Sequence, residues 1–248
     1  MGLKSFVKRK IYFARIWAKR RRYFSKKNIG QPGQVEWLIE TEAKYGGYIR
    51  GLQRKVISDH HDSHERAKLF RRFLQGGDRM LYHGYGKKYA EHLAPFVSGC
   101  LSHTVTLIEL GILRGTGLAI WCDLFKNGRV IGLDIDLEYF RGNVGNLRRL
   151  GAFIHNYPEL YYFDQYKNNH EYLRNILGDD RIDIFIDDGI HDSEAIMSTM
   201  KCVVPYLSDQ FVYFVEDNKD VHSQIRQDYP DFTVASYGRL TVITGNSN

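Results

Sequence analysis

The sequence predicts an α/β fold with a mostly parallel sheet, a C-terminal antiparallel strand pair and an N-terminal helical extension. From residue 104 onward, short β-rich apolar runs alternate with helical stretches, as expected of βαβ units. A Tyr-Gly-Arg turn at 237–239 separates two strand candidates, which predicts a hairpin. The 248 residues contain no apolar run of 18 or more, a pattern that excludes a membrane-spanning helix.

The composition is that of a globular chain. The hydrophobic fraction is 43% and the charged fraction 26%, which are ordinary values for a folded domain. Three scattered cysteines, Cys100, Cys122 and Cys202, form no CxxC pair. This spacing disfavours a disulfide framework or a cysteine zinc site and indicates a reducing compartment. We therefore expect a cytoplasmic protein.

Positive charge is concentrated at the N-terminus. Residues 1–34 hold eleven Lys and Arg and no acid, which leaves 24 basic against 29 acidic residues in the rest of the chain. On a helical wheel, residues 4–27 place aromatic side chains opposite Lys and Arg. This pattern is typical of a helix in a membrane interface, here at the inner membrane face. It also fits a helix packed on its own domain or on a second subunit. The acidic remainder argues against a nucleic-acid partner.

The predicted organisation has three parts: a basic amphipathic arm at 1–34, a helical acceptor-side segment at 35–103 and an α/β domain at 104–248. Residues 35–75 read as helical with polar interruptions. The loop at 58–64 is rich in potential metal ligands, but it also offers N-caps for a helix over 65–74.

Each predicted strand is a short apolar run, and each predicted helix follows a turn. Helices are expected up to 125, up to 150, at 166–177 and at 192–206. The strands are expected at 104–110, 130–134, 161–164, 182–187, 211–216, 232–236 and 240–244. The first five strands end in or next to acidic residues, at the edge where parallel sheets bind ligands. These residues are Glu109, Asp134, Asp164, Asp187, Asp188, Glu216 and Asp217.

A glycine turn follows the first of these strands. Its spacing, Gly111, Gly115 and Gly117, is neither the GxGxxG fingerprint nor a Walker A loop. Glycines here allow a ligand to approach the backbone, or simply allow tight packing of strand on helix. An acid at the position of Asp134 suits ribose hydroxyls. Glu109 would attract a cationic amino-acid group and repel a pyrophosphate, which favours S-adenosylmethionine (SAM) over NAD.

The last acids suggest a metal site. Asp188 ends one strand, and Glu216 and Asp217 end the next. Three oxygen ligands with open positions beside them suit Mg²⁺. His191 follows closely and would be placed to take a proton from a hydroxyl held beside the ion. Each group alone also fits an ordinary turn, a solvated loop or a helix cap.

Two segments resemble motifs of the class I SAM-dependent methyltransferases. IELGILRGTG (108–117) resembles their motif I, and VIGLDID (130–136) resembles their second motif. The resemblance implies a Rossmann-like class I methyltransferase sheet and makes 104–248 the SAM-binding domain. It further implies that the methionine part lies against Glu109, Gly111, Gly115 and Gly117, the ribose against Asp134, and the rest of the cofactor near Asp164, Gln165 and Asp187. Asp164 is also a good helix N-cap.

Three further segments resemble the metal-dependent sugar O-methyltransferases that act on macrolide deoxysugars. IDDGIHDSE (186–194) resembles their DDGSH motif, VEDN (215–218) their second metal motif, and 76–96 the segment before their catalytic domain. Ile190 stands where that family usually has Ser. The resemblance implies Asp188, Glu216 and Asp217 as Mg²⁺ ligands and His191 as the catalytic base. It also places Asp78, His83 and Tyr85 along the site, although aromatic packing would explain them equally well.

The expected activity is SAM- and Mg²⁺-dependent O-methylation of a sugar hydroxyl on a glycan or glycolipid. A metal with open positions favours an acceptor with two adjacent oxygens, and the basic arm would suit a lipid-linked one. The narrowest hypothesis is a nodulation-type enzyme that methylates the 2-hydroxyl of fucose on a lipo-chitooligosaccharide. The alternatives are a catechol-type O-methyltransferase, a nucleic-acid methyltransferase that uses the arm, and a non-catalytic scaffold.

Overall fold

The computed structural model describes residues 30–48, 75–99 and 103–245, together with the single positions Ile11, Ala14 and Ala18. Apart from those three positions, the predicted arm helix at 4–27 lies outside the described residues, as do the loop at 58–64 and the predicted helix at 65–74. No helix among the described residues has the length and apolar character needed to cross a membrane.

The described elements follow one another as strands and helices along the chain. The strands are β1 (Gly47–Tyr48), β2 (Gln75–Gly76), β3 (Thr106–Leu110), β4 (Arg129–Asp134), β5 (Glu159–Tyr162), β6 (Ile182–Asp187), β7 (Leu207–Val215), β8 (Phe232–Tyr237) and β9 (Leu240–Gly245). The helices are α1 (Val35–Tyr45), α2 (Gly86–Val97), α3 (Thr116–Leu124), α4 (Glu138–Arg149), α5 (His170–Leu177), α6 (Ser193–Val203) and α7 (His222–Asp228).

Seven strands form one sheet in the order β5-β4-β3-β6-β7-β9-β8. The pairs from β5 to β7 are parallel, whereas β9 runs antiparallel to both β7 and β8. The predicted mostly parallel sheet with an antiparallel C-terminal pair is therefore confirmed. The chain turns back twice at its end, so that β9 lies between β7 and β8.

Several boundaries differ from the prediction: for example, β7 begins at Leu207 rather than at 211, and α5 begins at His170 rather than at 166. The third strand of the main sheet covers Glu159–Tyr162 rather than 161–164, because its partner β4 ends at Asp134, opposite Tyr162. In the segment 35–75, which was expected to be helical with interruptions, the described helix α1 ends at Tyr45. Two glycines follow, which are poor helix formers, and β1 then pairs antiparallel with β2.

The sheet is covered on both faces, because successive residues of each strand point to opposite sides. On one face, Leu107 and Phe214 join a core with residues of α1, α2 and α3. On the other, Ile108 and Tyr213 pack with residues of α5, α6 and α7. The helices α1 and α2, which precede the main sheet in the sequence, thus share a core with it. The carboxyl ends of β3, β6 and β7 stay at one edge of this sandwich.

Candidate active site

A small, partly open cavity lies at the carboxyl end of β3. One wall is the segment before α2, with Gly77, Asp78 and Arg79. The opposite wall is the turn from β3 into α3, and Asp188 closes the side toward β6. Of the residues predicted from sequence to bind ligands, four line this cavity: Glu109, Gly111, Gly117 and Asp188.

Arg79 is the centre of a buried charge cluster. Its Nη1 lies 2.7 Å from Glu109 Oε1, its Nη2 2.9 Å from Asp188 Oδ2 and its Nε 2.6 Å from Glu216 Oε1. The three acids come from the ends of β3, β6 and β7, which are neighbours in the sheet. Only 8% of Arg79 is exposed. One guanidinium therefore joins three of the predicted site carboxylates.

The second carboxylate oxygen of Glu109, Oε2, is not used by Arg79. Glu109 is 1% exposed, and its Oε2 makes no well-formed hydrogen bond among the described residues, although the Trp121 indole N–H is near enough to lower the pKa of this carboxyl. Burial raises the pKa of Glu109, and the charge of Arg79 opposes that rise. A buried carboxylate oxygen without a donor is costly, so this atom is suited to a cationic or N–H-bearing ligand.

Two glycines allow the ends of β3 and β6 to pack closely against the turn after β3. A Cβ on Gly117 would lie 2.0 Å from Glu109 Oε1. At Gly111 the backbone has a φ of +85°, and a Cβ would lie 2.1 Å from the carbonyl oxygen of Asp188. Any larger residue would displace the acids, so glycine is required at both positions.

Asp134 and Gly115 shape the neighbouring turn. The Leu113 amide donates to Asp134 Oδ2 at 3.0 Å, and the Asp136 amide donates to Oδ1 at 2.9 Å. These bonds orient the carboxylate at the end of β4. Gly115, with a φ of +77°, lets Phe140 of α4 pack against the turn.

Asp187 and Gln165 bond to each other and lie outside the cavity lining. Gln165 Nε2 donates to Asp187 Oδ1 at 3.1 Å, and its Oε1 accepts from the Ile190 amide at 2.9 Å. Burial raises the pKa of Asp187 to about 6. The pair fastens the turn after β6. Asp164 accepts a hydrogen bond from the Tyr166 amide at 3.2 Å, within the turn that leads toward α5.

Asp217 lies in a different setting from Glu216. Its Oδ1 accepts a hydrogen bond from Tyr85 Oη at 2.9 Å and lies 3.6 Å from His83 Nδ1 and 3.5 Å from Arg239 Nε. Burial acts to raise the pKa of Asp217, but His83, His191, Tyr85 and Arg239 together lower it. Asp217 has a φ of +56°. This left-handed backbone conformation is unfavourable for residues other than glycine, and residues that adopt it are often found at functional sites.

His191 lies beside Asp188, with 3.9 Å between Nε2 and Asp188 Oδ1. Its φ is +63°, and its carbonyl accepts a hydrogen bond from Asn218 Nδ2 at 3.0 Å. Asn218 follows β7, so this bond joins the loop after β7 to the loop after β6. The imidazole is 21% exposed and thus accessible to a ligand.

The pKa values of the two central acids are shifted upward. Burial is the largest cause for both Asp188 and Glu216, and for Asp188 the nearby Glu216 carboxylate adds to it. Arg79 opposes the shift at each acid.

The chemistry of the cavity fits the amino-acid end of SAM, because its lining includes the buried Glu109 carboxylate and the backbone of Gly111 and Gly117. For a hard divalent ion the donor types fit as well, since carboxylates at adjacent strand ends supply oxygen. Within the described ranges, however, no three metal-capable side chains are gathered around one point. Asp188 and Glu216 both contact the guanidinium of Arg79 instead, and this group would have to move for a metal ion to bind there.

The sequence reasoning missed two residues of this site. Arg79 lies within the 76–96 segment that carried the resemblance, but an arginine among acids was not singled out. Tyr89 of α2 is fully buried and donates a hydrogen bond to Glu216 Oε1. Its spacing of four residues from both Tyr85 and Leu93, which places it on the inward side of α2, was the available signal.

Comparisons with known proteins give one curated relative and several structural neighbours. No family profile matches the chain. The 8-demethyl-8-alpha-L-rhamnosyl tetracenomycin-C 2'-O-methyltransferase of Streptomyces olivaceus is 28% identical over 176 residues, which are 66% of this chain and 41% of that protein. The chain therefore spans less than half the length of this relative.

Two solved structures are similar at low identity. The MycE methyltransferase of the mycinamycin pathway, in complex with Mg, SAH and mycinamycin VI, has 18% identity and a TM-score of 0.49 over 66% of this chain and 50% of that one. A putative O-methyltransferase from Klebsiella pneumoniae has 12% identity and a TM-score of 0.49 over 93% and 96% of the two chains.

The resemblance to sugar O-methyltransferases is confirmed by the Streptomyces relative. The strand order, with β9 antiparallel between β7 and β8, confirms the fold that the motifs implied. The chain has the class I SAM-dependent methyltransferase fold.

Proposed function

We propose that the chain is a SAM- and Mg²⁺-dependent O-methyltransferase that acts on a sugar hydroxyl. The observation that carries the proposal is the convergence of Glu109, Asp188 and Glu216 at one sheet edge, beside a glycine-walled cavity. The name of the Streptomyces relative, a 2'-O-methyltransferase of a rhamnosylated compound, supports a sugar as the acceptor.

In this proposal, three parts of the chain bind SAM. Glu109 Oε2 accepts a hydrogen bond from the amino group of the methionine part. Gly111 and Gly117 let that part approach the backbone. Asp134, which two backbone amides orient at the end of β4, accepts hydrogen bonds from the ribose hydroxyls.

Asp188, Glu216 and Asp217 would hold the divalent ion. Bound there, Mg²⁺ would polarise the acceptor oxygen and favour loss of its proton. Tyr89 donates to Glu216 and Tyr85 to Asp217, so α2 and the segment before it orient both acids.

His191 acts as the base in the proposed reaction. Its imidazole takes the proton of the sugar hydroxyl, and that oxygen forms a bond to the methyl carbon as the bond from this carbon to sulfur breaks. The products are the methyl ether and S-adenosylhomocysteine. Asn218 holds the backbone of His191 in place, and His83 and Tyr85 flank Asp217 on the acceptor side.

The finer assignments belong to the same proposal. A lipid-linked acceptor, contact of residues 4–27 with the inner membrane face and assembly of several copies follow from the basic arm alone. Methylation of the fucose 2-hydroxyl on a lipo-chitooligosaccharide is the narrowest acceptor and rests on the sequence only.

A methyl-transfer screen with labelled SAM tests the proposal. The acceptors are deoxysugar glycosides, a fucosylated lipo-chitooligosaccharide, catechols and RNA, each with Mg²⁺ and with EDTA. We expect label on a sugar acceptor, lost with EDTA. Label on catechol or RNA instead of a sugar would show that the proposed substrate class is wrong. Label transfer that persists with EDTA would show that the reaction does not need a metal ion.

A further inference from the structure

Arg79 holds the position of a cation in a site built from acids. Its three ion pairs reach carboxylates of three adjacent strands at 2.6–2.9 Å. Removing a cation from such a cluster would leave buried like charges facing one another, which is strongly unfavourable. The chain therefore carries its own counter-ion where the proposed function places a divalent one.

The surroundings of the guanidinium show that this position is built rather than incidental. The ring centroids of Tyr89 and Trp121 lie 5.8 and 5.7 Å from Cζ of Arg79. The adjoining backbone is fixed by Glu42 of α1, which accepts hydrogen bonds from the Met80 and Leu81 amides. The planar guanidinium of Arg79 reaches the three acids from three separate nitrogens, whereas the three donors of an ammonium all lie on one atom.

The contacts divide the three acids into two kinds. Arg79 contacts Asp188 Oδ2 and Glu216 Oε1. These two acids are also ligands of the proposed metal ion. At Glu109, Arg79 occupies only Oε1, and Oε2 is left for another donor. A divalent ion that takes Asp188 Oδ2 or Glu216 Oε1 at 2.0–2.1 Å displaces the guanidinium N–H that contacts the same oxygen, so the two cations compete for these atoms.

We propose that Arg79 is a resident cation that competes with the divalent ion for Asp188 and Glu216, and that it stays anchored to Glu109 when the ion enters. This inference rests on the proposed metal site. It predicts that the affinity for the metal is limited by the cost of moving Arg79.

The test is Mn²⁺ binding by calorimetry to the full-length chain and to Arg79→Lys. The variant keeps the charge, so a purely electrostatic effect would leave the affinity unchanged. Loss of even one charge-assisted hydrogen bond to the acids corresponds to about tenfold tighter Mn²⁺ binding. Arg129→Lys is the matched control, because Arg129 pairs with Glu159 and Asp180 at the amino end of β4.

A second measurement uses the unmodified chain. The side-chain Nε–H signal of Arg79 is followed by NMR as Mg²⁺ is added, and we expect it to shift and lose its protection from hydrogen exchange. Equal Mn²⁺ affinity of Arg79→Lys and the unmodified chain, or an unmoved signal at saturating Mg²⁺, overturns the competition and leaves the proposed function standing. Absence of Mn²⁺ binding in both proteins overturns the metal site itself.

Discussion

The side-chain amide of Asn218 donates a hydrogen bond to the main-chain carbonyl of His191, at 3.0 Å. Asn218 also donates to Ser193 Oγ, and its Oδ1 accepts from the Asp220 and Val221 amides. A single buried side chain thus links the loop after β7 with the loop that carries the proposed base. The positive φ of His191 is maintained by this connection.

Asn218→Ala should loosen the base without removing it. Because misplacement of a reacting group by about 1 Å costs up to about 100-fold in rate, we expect kcat for methyl transfer to fall about 10- to 100-fold while SAM affinity is kept. Ser193→Ala, which breaks only the bond to Ser193, is the control and should stay near the unmodified rate. An Asn218→Ala enzyme with full kcat would show that the bond does not position His191.

His191→Ala should abolish most methyl transfer and leave the fold intact. General-base catalysis contributes about 100- to 10,000-fold, and we expect a loss in that range in kcat with unchanged SAM binding and unfolding temperature. His83→Ala serves as the comparison, because His83 also faces the Asp217 carboxylate. A larger loss in His83→Ala than in His191→Ala would transfer the role of base to His83.

Gly117→Ala should block the cofactor pocket. Its Cβ would lie 2.0 Å from Glu109 Oε1, so the acid must shift and SAM binding, measured by calorimetry, should weaken more than tenfold, as about 1.4 kcal/mol of lost contact suffices. Gly145→Ala on α4 is the control, since no atom lies within 4 Å of its added Cβ. That variant should bind SAM normally and gain about 0.5–1 kcal/mol in stability. Normal SAM binding by Gly117→Ala would exclude this wall of the cavity as the cofactor site.

Glu42 should make stability depend on pH. Burial raises the pKa of Glu42 from 4.5 to about 7, with Asp78 adding to the rise and Arg79 opposing it. Because the folded pKa is raised, the stabilising contribution is present below pH 4.5 and is lost as the pH rises through about 7. We expect the free energy of unfolding to fall by about 3 kcal/mol over that range relative to Glu42→Gln.

Urea unfolding of both proteins from pH 4.5 to pH 8 measures this difference. Glu36→Gln, an exposed position on the same helix, should follow the unmodified chain at every pH. Parallel pH curves for the unmodified chain and Glu42→Gln would show that Glu42 titrates normally.

The sequence pattern predicted the sheet because the strands are short apolar runs separated by clear turns. It also predicted that acids would collect at one edge, since the ends of parallel strands share it. Of the three predicted metal ligands, Asp188 and Glu216 meet at Arg79, whereas Asp217 contacts Tyr85, His83 and Arg239. Asp187 shows the limit of that reasoning. It ends the same strand as Asp188, but its side chain points to the opposite side and bonds Gln165 and Tyr213.

Arg79 could not be placed from the pattern. Its position depends on the packing of α1 and α2 on the sheet and on the hydrogen bonds of Glu42 to the Met80 and Leu81 amides. These contacts join segments far apart in the chain, and neither periodicity nor motif spacing encodes them. For the same reason, the carboxylates were expected to meet around an external cation, whereas they meet around one supplied by the chain.

The central claim is methyl transfer from SAM to a sugar oxygen at this site. The most direct measurement is ¹³C NMR of the product formed from a deoxysugar glycoside and SAM labelled at its methyl carbon. We predict a methyl-ether signal coupled to a sugar ring proton, present with the unmodified chain and absent with His191→Ala. A chain that binds SAM and yields no labelled sugar, or one that labels nitrogen or a phenol, would contradict the account.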